Sequence, residues 1–76
     1  MLQIIKNIIM EYVDITEEEI HPELNPFRDL NLNSYDYINI IGKLENELGV
    51  KINERDIRKM ETLGDLDKYL KSKLQD

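Results

Sequence analysis

The stretch DLNLNSYDYINIIGKLENELGV, residues 29–50, decides the fold of this chain. It begins as a polar turn and continues from Ser34 as a strongly patterned segment. An α-helix turns by about 100° per residue, so the larger apolar side chains of this segment would share one side. These side chains are Tyr37, Ile40, Ile41, Leu44 and Leu48. The side chains that fall on the opposite side are Tyr35, Asn39, Gly42 and Asn46. The pattern predicts an amphipathic helix over residues 34–48 that packs on a core with the first set and can meet a partner with the second.

Ser34 lies at the predicted start of this helix. The first backbone N–H groups of a helix have no intrahelical acceptor, and they form the positive end of the helix dipole. This end of a helix therefore favours a phosphate ester. Ser34 or its neighbour Asn33 could also do no more than cap the helix with a side-chain oxygen, and a cap is compatible with a modification.

The same stretch resembles the phosphopantetheine attachment region of acyl carrier proteins and of the related peptidyl and aryl carrier domains. Such regions have an acidic residue and a leucine, a short loop, then Asp or Asn, the modified serine and a hydrophobic residue. The corresponding residues here are Asp29, Leu30, Asn33, Ser34 and Tyr35. The similarity continues through LENELGVKI, residues 44–52, and TLGDLDKYL, residues 62–70. It therefore covers most of the chain from Phe27 onward.

The resemblance implies a carrier function with a prosthetic group. A phosphopantetheinyl transferase would attach 4'-phosphopantetheine from coenzyme A to the Ser34 oxygen, with Asn33 and Tyr35 beside it. The arm would carry acyl or aminoacyl groups as thioesters, and it would supply the thiol that a chain without cysteine lacks. Further implied partners are an acyl- or aminoacyl-loading ligase and downstream synthase enzymes. The alternative is a helical protein-interaction module without a prosthetic group.

If the cargo is an acyl chain, the resemblance implies that it can slip between the helices. The candidate lining residues are Ile38, Ile41, Leu44, Met60 and Tyr69. In the unloaded protein we expect these side chains to be ordinary core.

Two features depart from the family's pattern. Tyr35 follows the serine where the family usually has an aliphatic residue. The fatty-acid members carry acids along the exposed side of the second helix, whereas only one residue of the partner face expected here is acidic. This partner face consists of Asp36, Asn39, Lys43 and Asn46. The third-helix segment adds the cations Arg55, Arg58 and Lys59. These departures favour a specialised stand-alone carrier with dedicated partners, in fatty-acid, polyketide, nonribosomal-peptide or related biosynthesis, over a housekeeping fatty-acid carrier.

The rest of the chain is predicted to be helical or loop. Residues 2 to about 13 have one apolar stripe, made by Leu2, Ile5, Ile8, Ile9, Tyr12 and Val13. Residues 14–33 form a long connection, because Pro22 and Pro26 forbid a long helix there. Thr16 and Glu19 resemble a capping box for a short turn at 17–20. The apolar side chains that can pin this connection to the core are Ile20, Leu24, Phe27, Leu30 and Leu32.

The C-terminal part adds two predicted helices. A short one covers residues 53–60, with Asn53 as its cap, and a longer one follows Thr62, which can cap it, with Asp65 in its first turn. The inner face of the longer helix consists of Leu63, Leu66, Tyr69, Leu70 and Leu74. No segment alternates as a strand does. We therefore predict an all-α fold: a small helical bundle of three longer helices plus one short helix, with a long loop between the first and second, as one carrier domain over residues 1–76.

Composition excludes several functions. The chain has 76 residues, no cysteine and a net charge of −6, so it has no disulfide, and it lacks the basic surface that nucleic acids require. Its apolar N-terminal stretch, residues 1–13, is too short and too interrupted by polar residues to span a bilayer, and it has no cleavage site. We expect a cytoplasmic monomer without a membrane span.

Nothing in the sequence indicates catalysis or a metal site. A hydrolytic serine needs a base within reach, but His21 is the only histidine and lies in a distant loop. Ser34 also lacks the Gly-x-Ser-x-Gly turn of a serine hydrolase. The segment DLNLNSYD, residues 29–36, lacks the glycine and the glutamate of an EF-hand calcium loop. We predict that the chain is not an enzyme.

Overall fold

The computed structural model describes residues 2–75, that is, every residue except the first and the last. Four α-helices follow one another, and no β-strand is present within these residues. They are α1 (Leu2–Tyr12), α2 (Ser34–Leu48), α3 (Glu54–Lys59) and α4 (Leu63–Gln75), with one 3-10 turn at Glu17–Glu19 between α1 and α2. The predicted all-α bundle is confirmed, and the helix ends lie within about two residues of their predicted places.

The core is formed by the three longer helices and by the loop that joins α1 to α2, and Ile52 joins it from the segment between α2 and α3. The buried side chains recur at spacings of three and four residues, as one face of a helix requires. They are Ile5, Ile8 and Ile9 in α1; Tyr37, Ile40, Ile41 and Leu44 in α2; and Leu63, Leu66 and Leu70 in α4. Full burial of one such aliphatic side chain contributes roughly 1.5–3 kcal/mol. The predicted stripes are correct in their centres but extend too far, because Leu48 is only half-buried and Leu74 is exposed.

The long connection between α1 and α2 is folded onto the helices. Its buried residues are Ile20, Pro26, Leu30 and Leu32. The backbone N–H of Leu63 donates to the Leu24 carbonyl at 3.0 Å, and that of Gly64 donates to the Pro22 carbonyl at 2.8 Å. A Cβ on Gly64 would lie 3.2 Å from both the Cβ and the carbonyl oxygen of Pro22, so glycine permits this close approach. The connection is therefore fixed to the start of α4.

Side chains close the ends of the two C-terminal helices as predicted. The Asn53 side chain caps α3 by accepting a hydrogen bond from the Arg55 N–H at 2.9 Å. Thr62 Oγ1 accepts from the Asp65 N–H at 3.1 Å, and the Asp65 carboxylate accepts in return from the Thr62 N–H at 3.2 Å. Hydrogen bonds from the backbone N–H groups of Glu61 and Thr62 lower the pKa of Asp65 below its ordinary value.

Local contacts also fix the short turn and the end of α2. The Glu19 carboxylate accepts from the Thr16 N–H at 3.0 Å and from the Thr16 hydroxyl at 2.8 Å, and these bonds lower the pKa of Glu19. Gly49 ends α2 in the left-handed conformation, with φ 65°, and its N–H donates to the Glu45 carbonyl at 2.9 Å.

Candidate functional site

Asn33, rather than Ser34, caps α2. Asn33 has an extended backbone, and its Oδ1 accepts a hydrogen bond from the Asp36 N–H at 2.7 Å. Ser34 is the first residue of the helix and is exposed to solvent. The backbone N–H groups of Ser34 and Tyr35 belong to the first turn, where no intrahelical acceptor exists. The Ser34 hydroxyl is therefore not needed as the helix cap. Backbone N–H groups without an intrahelical acceptor lie in the same turn as this hydroxyl.

A closed loop delivers Ser34 to this position. The Asn25 side-chain oxygen accepts from the N–H groups of Phe27 and Arg28, each at 2.9 Å. The Asp29 carboxylate accepts from the Asn25 N–H at 2.8 Å, and the Asp29 N–H donates to the Asn25 carbonyl at 2.9 Å. Asn31 follows with a positive φ of 56°, a conformation that Asn tolerates better than most residues. The acidic residue of the attachment pattern, Asp29, thus closes the loop before the serine.

Sequence reasoning missed the part played by Asn25. Its signal was present as an Asn-Pro pair at residues 25–26, since Asn side chains commonly accept hydrogen bonds from backbone groups two or three residues later. Asn25 and Asp29 exchange hydrogen bonds over a short sequence distance and so shape this loop locally, while the buried side chains of Leu30 and Leu32 hold it to the core.

A cavity of about 430 Å³ opens beside Ser34, and we call it the Ser34 cavity. Its lining residues come from the loop before α2, from α2, and from α3 with the residues that follow it: Asn25, Phe27, Ser34, Tyr37, Ile38, Glu54, Ile57, Arg58, Met60 and Glu61. Phe27 was expected to pin the loop to the core, but it is 44% exposed, and its ring centroid lies 5.0 Å from that of Tyr37. Burial raises the pKa of Tyr37 to about 12, so its hydroxyl stays protonated at neutral pH.

The five predicted lining residues divide among three environments. Ile41 and Leu44 are buried core, as expected of the unloaded protein, whereas Met60 and Tyr69 are half-buried. Ile38 is 62% exposed, so the expectation that it is core is wrong. It lies at the edge of the buried stripe and lines two cavities: the Ser34 cavity and one of about 350 Å³ farther along α2 and α3.

Two side chains from the longer helices hold the region of α3. The Tyr69 hydroxyl of α4 donates to the Asp56 carboxylate at 2.7 Å. The Glu45 carboxylate of α2 accepts from the Ile52 N–H at 2.7 Å, just before α3 begins. α3 is thereby fixed as one wall of the Ser34 cavity.

The four residues of the expected partner face differ in their surroundings. Asp36 and Asn39 are partly exposed, while Lys43 and Asn46 are exposed. Lys43 Nζ lies 2.8 Å from Glu11 Oε1 and 5.2 Å from the centre of the Tyr12 ring. The hydrogen bond to Glu11 is the main reason that the pKa of Lys43 is raised. The positive charge of Lys43 is thus directed to α1, while Tyr35, next to Ser34, is 74% exposed.

The described residues offer no assembled catalytic or metal centre. His21, the only histidine, is exposed in the long connection. Among residues 2–75, no three side chains of the kinds that bind metals come together as a metal site. No helix in that part of the chain has the length and apolar character needed to cross a membrane.

The sequence and the structure of this chain are both similar to those of known acyl carrier proteins. The family described as the phosphopantetheine attachment site matches residues 3–70. An acyl carrier protein from Thermotoga maritima is 33% identical over 70 residues, which cover 92% of this chain and 86% of that protein. The solved structure of the acyl carrier protein from Enterococcus faecalis superposes with a TM-score of 0.82 at 33% identity, covering 95% of this chain and 91% of that one.

The geometry at Ser34 fits the prosthetic group of this family. An exposed serine hydroxyl, a cap made by the neighbouring residue and an adjacent cavity leave room for a phosphate ester and its arm. Proteins of this family carry 4'-phosphopantetheine, have no catalytic activity of their own, and interact with transferases and synthases. From the extent of the match, the fold and this site together, the chain belongs to the family of phosphopantetheine-dependent acyl carrier proteins.

Proposed function

We propose that Ser34 is the attachment residue for 4'-phosphopantetheine, with Asn33 and Tyr35 on either side of it, in a single carrier domain over residues 1–76. The observation that carries this proposal is that Asn33, and not Ser34, caps the start of α2. Asn33 accepts the capping hydrogen bond, so the neighbouring hydroxyl is exposed at the positive end of the helix. When bound, the group supplies a terminal thiol that holds acyl or aminoacyl groups as thioesters.

The residues of the chain contribute to this function by where they lie relative to the prosthetic group. The exposed hydroxyl of Ser34 is accessible to a transferase, and the first-turn N–H groups favour the negative charge of a phosphate diester. The apolar walls of the Ser34 cavity, Phe27 and Ile38, can hold part of the arm or its cargo. A flexible tether raises the local concentration of its cargo at each partner enzyme. A carrier therefore requires an accessible serine in the chain rather than a catalytic group.

Intact-mass measurement after incubation with coenzyme A and a broad-specificity phosphopantetheinyl transferase tests this proposal. We expect one added group on the wild type and none on Ser34→Ala. The matched control is Ser72→Ala, which removes the other serine of the chain, exposed in α4, and should leave the added group unchanged. Loss of modification in the control but not in Ser34→Ala would place the group elsewhere. No modification of the wild type by several transferases would favour the interaction module without a prosthetic group.

We further propose that the chain is a specialised carrier, served by its own loading ligase and synthase enzymes. Asn39 and Asn46 present neutral side chains where an acid is expected in a fatty-acid carrier. Lys43 adds no acid either, and it is bound to Glu11. Fatty-acid synthase enzymes that dock through basic patches therefore find few carboxylates on this face. Tyr35 instead offers an exposed aromatic ring to a dedicated partner.

A further inference from the structure

Charge is unevenly distributed along this chain. Residues 7–27 include six acidic side chains and no lysine or arginine. Residues 51–59 include four basic side chains and only two acidic ones, although the whole chain has a net charge of −6. The positive segment contains α3, which forms one wall of the Ser34 cavity. The segment that contains α3 thus has the opposite sign to the chain as a whole, although Glu54 and Glu61 line the Ser34 cavity beside Arg58.

The contacts of α3 leave its positive charge facing outward. The Asp56 carboxylate is half-buried and accepts a hydrogen bond from Tyr69 on α4. Glu54 and Arg58 pair at 3.3 Å, but both side chains are 79% exposed, and ion pairs of this kind contribute little. Among residues 2–75, neither Arg55 nor Lys59 has a carboxylate within ion-pair distance. Arg55 and Lys59 are therefore available to a partner's carboxylates.

Exposed apolar side chains meet this charge beside Ser34. Three of the four large apolar side chains exposed among residues 2–75 are Phe27, Tyr35 and Ile38. Phe27 and Ile38 line the Ser34 cavity together with Arg58. Arg58 also borders a shallow depression on α3 that Arg55 lines. The apolar centre is thus continuous with an edge on which Arg55 and Arg58 lie beside the carboxylate of Glu54.

We propose that the surface formed by Phe27, Ile38, Arg55 and Arg58, which we call the α2–α3 surface, docks a partner protein whose contact area is apolar in its centre and bears carboxylates at its rim. The proposal rests on the function proposed for Ser34, since any enzyme that acts on the arm has to approach this residue. In this proposal the charges that attract the partner are the arginines of α3. They are positive, whereas the docking charges of a fatty-acid carrier are acids on its second helix.

The occupant is a protein with a local acidic rim rather than a polyanion. Salt screens charges beyond about 8 Å at physiological ionic strength, so a few carboxylates opposite Arg55 and Arg58 gain an attraction that nearby Glu54 and Glu61 reduce and more distant acids change little. An extended polyanion such as nucleic acid or an anionic membrane would meet many of those acids at once, and the net charge of −6 would repel it. The apolar centre also requires a partner that can exclude water from Phe27 and Ile38.

Two synthetic peptides test the sign of this surface. Both are amphipathic helices with a leucine face; one has glutamates at the edge of that face and the other has lysines. Each is titrated into the ¹⁵N-labelled full chain, before and after transferase treatment, while amide chemical shifts are recorded at low and high salt. We expect the glutamate peptide to shift amides of residues 34–38 and 54–59, with weaker binding at high salt.

Variants decide whether the charges on α3 cause the binding. Arg55→Glu combined with Arg58→Gln should weaken the glutamate peptide roughly threefold to tenfold, as expected for two exposed ion pairs. The helix α3 should persist in this variant. A glutamate at position 55 is favourable in the first turn of a helix, and the Asn53 side chain accepts from the backbone N–H of residue 55, which the substitution leaves in place. Lys68→Glu, an exposed position on α4, is the matched control and should leave the affinity unchanged.

Several outcomes would overturn the proposal. They are binding of the lysine peptide to residues 34–38 and 54–59, binding of the glutamate peptide elsewhere, and equal weakening by Lys68→Glu. Failure of the function proposed for Ser34 has a different signature, because the mass of the transferase-treated protein reports it before any peptide is added. The titration of the untreated chain then still tests the α2–α3 surface.

Discussion

Asn33→Ala removes the side-chain oxygen that caps α2 just before Ser34, the proposed attachment residue. That oxygen lies 2.7 Å from the Asp36 N–H, and the N–H would lose its protein acceptor. Loss of such a cap costs about 1 kcal/mol, within a range of roughly 0.5–2 kcal/mol. A domain of this size has roughly 4–11 kcal/mol of stability in total, so the change is a large fraction of it. The melting temperature should fall by about 4–8 °C for each kcal/mol lost.

Thermal and urea unfolding of matched variants provide the assay. Ser34→Ala should cost less than about 0.5 kcal/mol, because Ser34 is an exposed first residue and does not make the cap. Asn33→Asp and Asn33→Ser should retain most of the stability, since Asp and Ser cap helices about as well as Asn. Equal losses in Ser34→Ala and Asn33→Ala would refute the division of tasks between the two residues. So would a failure of Asn33→Ser to retain stability.

Three further predictions concern the core, the partner face and pH. Leu44→Ala should cost roughly 2–5 kcal/mol in urea unfolding because Leu44 is fully buried, whereas Ile38→Ala on the same helix should cost little; similar losses would show that the buried face is wrong. Asn39→Glu combined with Asn46→Glu should raise the loading rate by a fatty-acid synthase enzyme that docks through basic patches, and more so at low salt; no gain over an already efficient wild type would return the chain to ordinary fatty-acid carriers. Asp65 has a lowered pKa, so its stabilising effect is present at neutral pH and is lost as pH falls through the folded-state pKa; Asp65→Asn should therefore be less stable than wild type at pH 7, with a difference that shrinks by about pH 3.

Periodicity and turn chemistry were sufficient to predict the helices, because each helix has a local signal. The apolar stripes of α1, α2 and α4 repeat every three or four residues, and the caps at Asn53, Thr62 and Gly49 follow from short-range hydrogen bonding or backbone geometry. The position of Ser34 at the start of α2 followed from the same signals. These elements do not depend on which helix packs against which.

Features that depend on neighbouring elements could not be predicted in this way. Ile38 lies roughly 110° from the centre of the buried stripe on a helical count, which accounts for its exposure, but only the position of α3 shows that it borders a cavity. Lys43 faces outward by the same count, yet Glu11 on α1 binds it. The need for glycine at residue 64 arises from the approach of Pro22, far away in sequence.

The sequence context was sufficient to propose Ser34 as the site, but the geometry around Ser34 could not be predicted. The sequence allowed either Ser34 or Asn33 to cap α2, since both residue types are good caps. The structure assigns the cap to Asn33 because its Oδ1 reaches the Asp36 N–H. The cavity beside Ser34 required residues from three separate segments and had no local signal.

The most direct test of the central claim is the location of the prosthetic group within the chain. The 76-residue chain is treated with coenzyme A and a transferase, digested, and its peptides are sequenced by tandem mass spectrometry. We predict that phosphopantetheine is found on Ser34 alone, in the peptide that also contains Asn33 and Tyr35. Phosphopantetheine on Ser72, Thr16 or any other side chain, or on no peptide at all, would contradict it.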